Sequence, residues 1–151
     1  MAENGVVPRE DGLSRIAADV EALLDSNSQM FLYSIDPEQR QWTAVAPGQF
    51  FHSYMILGKV KITAQHEKTI LLKSLAQGIR GGGGNSIPVD CFVPRHGLRV
   101  IIGSSTNDFL ICFECRSVHT FVFKHSDFPI SDSPSGRFNE SVDKHHLKKP
   151  K

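Results

Sequence analysis

Two apolar runs rich in β-branched and aromatic residues, Leu98 to Ile102 and Phe109 to Phe123, flank the hexapeptide Gly103-Ser104-Ser105-Thr106-Asn107-Asp108. Branched and aromatic side chains suit a pleated strand, whereas Gly, Ser, Asn and Asp suit a chain reversal, so the segment predicts a β-hairpin. An antiparallel sheet with helices to cover one face is the architecture such a hairpin asks for.

The covering helices are readable from periodicity. Leu13, Ile16, Ala17, Val20, Leu23 and Leu24 fall on one helical stripe and predict a helix over 12–25, with Asp11 as N-cap. A second stripe, Leu71, Leu72, Leu75, Ala76 and Ile79, predicts a helix over 64–79 capped by Thr63. Met30 to Ile35 and Gln41 to Val45 read as strands around an Asp36-Pro37-Glu38 turn, and Phe50 to Ile62 as further strand with Lys59 and Lys61 outward and Val60 and Ile62 inward. Gly81 to Gly84 follows a helix and precedes the strand-like Val89 to Val93; a phosphate cradle needs the opposite order, so the run is read as a connector. The fold expected is α+β, a largely antiparallel sheet of five or six strands with two helices on one face; one parallel crossover is allowed between 55 and 93.

At 151 residues the chain has the size of one domain. It divides into a flexible 1–11, a domain over 12–125 and a loop-rich basic tail over 126–151 ending in Lys144-His145-His146-Leu147-Lys148-Lys149-Pro150-Lys151. A net charge of +1 supplies no global field for nucleic acid or an anionic membrane, and neither is expected as a partner. The opening MAENGVVPREDG lacks a basic and apolar secretory pattern, which predicts a cytoplasmic protein with free cysteines.

All three cysteines lie in DCFVPRHGLRVIIGSSTNDFLICFEC, Asp90 to Cys115. Three readings compete there. Cys91, His96, Cys112 and Cys115 have the ligand types of a Cys₃His zinc site, but in a continuous strand Cys112 and Cys115 point to opposite faces, while zinc needs both sulfurs at about 2.3 Å. Thiol catalysis would pair Cys91 or Cys112 with His96 as base, oriented by Glu114, yet a strand lacks the helix N-terminus that lowers a thiol pKa. The third reading buries the cysteines as small apolar groups and leaves Arg95, His96, Arg99, Glu114 and Arg116 as a polar surface able to hold a carboxylate or phosphate.

The segments LGKV at 57–60, CFVPRHGLR at 91–99 and ICFEC at 111–115 resemble a family of small uncharacterised bacterial proteins, over about 50 to 123. The resemblance implies a bacterial cytosolic domain and brings no activity, cofactor or residue role. The function expected is a binding or interaction protein whose partner is a protein or a small anionic ligand, without a cofactor. A thiol-dependent enzyme or zinc-binding protein is the alternative. If His96 belongs to a binding surface, His96→Ala is expected to change stability by less than about 1 kcal/mol.

Overall fold

A computed structural model of the chain describes residues 10–25, 27–40, 48–83 and 92–150. In chain order the elements are α1 (Glu10–Glu21), β1 (Gln29–Arg40), β2 (Phe50–Phe51), β3 (Tyr54–Ile62), α2 (Gln65–Arg80), β4 (His96–Ile102), β5 (Ser105–Cys112), β6 (Ser117–Phe121), β7 (Phe128–Pro129) and α3 (Ser135–Lys144). The strands form one seven-stranded antiparallel sheet, ordered β2-β3-β1-β4-β5-β6-β7. The α+β expectation is met, with one or two strands and one helix more than the sequence suggested. The β3-α2-β4 connection does cross over, but β1 lies between β3 and β4, so the two never pair. None of the described helices is long and apolar enough to cross a membrane.

Period-2 alternation divides the sheet. Met30, Leu32, Leu98, Val100, Phe109 and Ile111 share one buried core with the predicted stripes of α1 and α2. Burying a leucine or phenylalanine of this kind contributes on the order of 1.5–3 kcal/mol, which is what fixes the strand registers. On the opposite face Tyr33, Ile35, Phe51, Tyr54 and Leu110 form a smaller cluster. Gly97 makes that cluster possible: a Cβ there would stand 2.7 Å from the Phe51 ring, which instead stacks on Tyr33 at a centroid distance of 4.3 Å.

Several local expectations change. Helix α2 begins beyond Ala64 without a side-chain cap, so Thr63 does not cap it, and α1 starts at Glu10, ahead of the expected Asp11 cap. Asp36-Pro37-Glu38 is a register irregularity inside the long β1 and not a turn. Gln41 to Val45, Gly84 and Val89 to Cys91 lie outside the described residues. The largest difference is at 126–151, expected as a tail: β7 pairs with β6, and Phe128, Phe138 and Val142 are buried in the main core.

Helix α3 closes with a Schellman arrangement, in which Leu147 N–H donates to Val142 C=O and His146 N–H to Asp143 C=O, with His146 at φ 56° in the position usually taken by Gly. Its C-terminal end is tied to α2 through Glu67. That buried carboxylate accepts hydrogen bonds from Ser141 Oγ at 2.8 Å and His145 Nε2 at 3.0 Å. Burial alone would raise the Glu67 pKa, but the Ser141 and His145 hydrogen bonds, with the nearby charges, hold it below the usual value.

Candidate functional site

The chain segment leading into β4 and the turn after β5 face α3 and the segment that follows it, and a hollow of about 410 Å³ lies between them. Arg95 and His96, Phe113 and Glu114, Ser135 and Asn139, and Lys149 and Pro150 come from these four segments, with Ser34, Val93 and Val142 completing the wall. Arg95 is held in place by its backbone, whose C=O accepts from Ile35 N–H at 3.1 Å. Its side chain remains 45% exposed, and the carboxylate paired with it, that of Glu114, is 3.9 Å away on a side chain 65% exposed. A pair so open and so long contributes little, leaving the cation available.

His96 differs from the expectation of a surface residue. It is buried, with its ring edge toward Phe113 and Phe138 at centroid distances of 5.4 and 5.9 Å, and its Nε2 donates to Asn139 Oδ1 at 3.1 Å. Burial lowers its pKa to about 4, assisted by the Arg95 charge and opposed by the Asn139 bond. At neutral pH it is therefore a neutral polar group and a weak base. Asn139, and not Glu114, orients it. With the ring buried, His96→Ala is instead expected to cost more than about 1 kcal/mol.

Arg99 does not belong to the hollow. It lies on the opposite sheet face and grips its cross-strand neighbour Asp108 with Nε to Oδ1 and Nη2 to Oδ2, both 2.8 Å, beneath the rings of Tyr33 and Phe51. His52 Nε2, 2.6 Å from Asp108 Oδ2, completes this second cluster and stacks on Phe121. Burial would raise the Asp108 pKa, yet the Arg99 and His52 hydrogen bonds lower it, so the group is an ionised structural clamp. Arg116 is exposed at φ 58° in the turn after β5 and does not line the hollow.

The cysteines also depart from expectation. The run Phe109 to Phe123 is broken after Cys112, and a turn closed by Arg116 N–H to Phe113 C=O lets Cys115 N–H donate to Cys112 Sγ at 3.1 Å. The opposite-face argument assumed a continuous strand and fails here. Cys115 is disulfide-bonded, which corrects the expectation that every thiol is free and removes a thiolate from the Cys₃His set. Cys112 is a free thiol, 1% exposed, and burial raises its pKa, the reverse of nucleophile activation. Its strand neighbour Ile111 pairs with His96 and shares its face, so Cys112 is directed away from the imidazole. No group of three or more metal-ligating side chains occurs among the described residues, and Cys91 lies outside them.

Sequence reasoning missed Asn139, Lys149 and the α3 wall. The signals were weak but present: Pro134 ahead of Phe138 and Val142, spaced i, i+4. No family model, curated protein or solved structure matches the chain.

Proposed function

We propose that the chain is a binding protein whose hollow takes a small organic anion with an apolar body. The observation that carries this is Arg95, an available guanidinium at a 410 Å³ hollow that also offers Phe113, Val93 and Val142 as apolar wall. That volume lies in the range of small-molecule sites, about 300–1,000 Å³, and an apolar lining with few fixed polar groups is their usual composition. His96 and Asn139 add a neutral hydrogen-bonding pair that orients a ligand without competing charge. Binding, and not catalysis, is supported because the imidazole is a weak base and the described free thiol is masked by burial. The bacterial, cytosolic setting implied by the resemblance belongs to the same proposal, and the Cys115 disulfide, which a reducing cytosol disfavours, weighs against its cytosolic part.

Two fluorescent probes test it. Anilinonaphthalene sulfonate carries an anion on an aromatic body, and N-phenyl-1-naphthylamine has the body without the charge. Arg95→Ala is expected to weaken the sulfonate about tenfold, the scale of a lost charge-assisted contact, and to leave the neutral probe within about twofold. Equal loss for both probes, or none for either, would contradict the assignment.

A further inference from the structure

We infer that Lys149 is a second anion-binding residue of the hollow and that Asp143 holds it in reserve, so that a bound anion gains Lys149 by taking it from Asp143. This rests on the hollow being the anion site proposed above. Lys149 lines the hollow, yet its ammonium is paired with the Asp143 carboxylate, which is not part of the lining. The segment carrying Lys149 is pinned just before it. Leu147 packs over Gly58, where an added Cβ would stand 3.0 Å from the Leu147 Cβ, and Ser34 Oγ donates to Lys148 C=O at 2.6 Å.

Beyond those two anchors, the described polar tie is the Lys149–Asp143 pair, 56% and 58% exposed. An exposed pair of this kind is weak, and the lysine stem is flexible, so the ammonium can exchange partners without moving the backbone anchors. Lys149 and Pro150, together with Arg95, also border a neighbouring hollow of about 280 Å³ that contains Asp36 and Glu38. Lys149 and Arg95 thus line both hollows, with Glu114 the acidic group of the larger one. An anion seated against Arg95 has Lys149 as its next cation, and Asp143 is the competitor it must displace.

The test is a double-mutant cycle on the full chain, read with the sulfonate and neutral naphthyl probes. Asp143→Asn removes a carboxylate from the last turn of α3, where negative charge is unfavourable, so the variant is expected to fold. It should tighten the sulfonate about two- to fivefold, the factor set by an exposed ion pair, and leave the neutral probe unchanged. Lys149→Gln should weaken the sulfonate, and adding Asp143→Asn to it should then have no effect. A gain from Asp143→Asn that persists without Lys149 would mean a general field effect and overturn the inference, as would no gain in its presence. Indifference of the sulfonate to Arg95→Ala counts instead against the hollow as an anion site.

Discussion

His96 supplies a prediction whose size follows from its surroundings. In the unfolded chain its imidazole takes up a proton near pH 6.5, whereas in the folded chain it does so only near 4. Between these values the unfolded state binds more protons, so the contribution of His96 to stability is full above the unfolded pKa and declines as pH falls. From about pH 7.5 to pH 4.5 the linkage amounts to about 2.5 kcal/mol. Glu67 and Asp108, whose folded pKa values are lowered, also lose stabilisation in acid, below the ordinary carboxylate range. Urea unfolding of wild type and His96→Gln across this range separates the two contributions, because the carboxylates are common to both proteins. The wild-type curve should fall about 2.5 kcal/mol further than that of the variant. Parallel profiles, or an NMR titration of wild type placing the His96 ring above pH 6, would refute the burial argument.

Other outcomes follow from the same structure. Leu23→Ala and Leu75→Ala should each destabilise by about 2–5 kcal/mol in chemical denaturation, since both side chains are buried in the main core. His146→Gly should stabilise by about 1 kcal/mol, because His146 holds a left-handed conformation that glycine adopts without strain; thermal unfolding measures it. Arg99→Ala should destabilise by about 3 kcal/mol by leaving Asp108 buried without its main partner, while sulfonate binding in the hollow stays unchanged.

The apolar stripes at Leu13 to Leu23 and Leu71 to Ile79 were legible because a 3.6-residue period and a buried face are the same constraint seen in sequence and in space. Arg99 was misassigned for a local reason. The reversal after Ile102 uses only Gly103 and Ser104, with Gly103 at φ 59°, and strand pairing resumes at Ser105. Reading six residues as turn hides the register that sets Arg99 opposite Asp108. In the same way, Arg116 makes the left-handed turn after β5 that no Gly, Asn or Pro announces, so the break between Cys112 and Cys115 was invisible. Arg95, His96 and Glu114 were found together because they are near in sequence to the hairpin. Asn139 and Lys149 meet them only through tertiary packing of α3, held by Glu67 from α2. A short helix with two fully committed apolar positions leaves too small a periodic signal to separate from a polar tail.

Where an organic anion binds decides between the two polar clusters, Arg95 with His96 on one side of the sheet and Arg99 with His52 on the other. Titration of isotopically labelled protein with anilinonaphthalene sulfonate, followed by amide and side-chain NMR shifts, locates it directly. An anion seated in the hollow should give saturable shifts concentrated at Val93, Arg95, His96, Phe113, Asn139 and Lys149, with Tyr33, Phe51, Arg99 and Phe121 unmoved. Shifts centred on the Tyr33 and Phe121 face, or scattered without saturation, would contradict it.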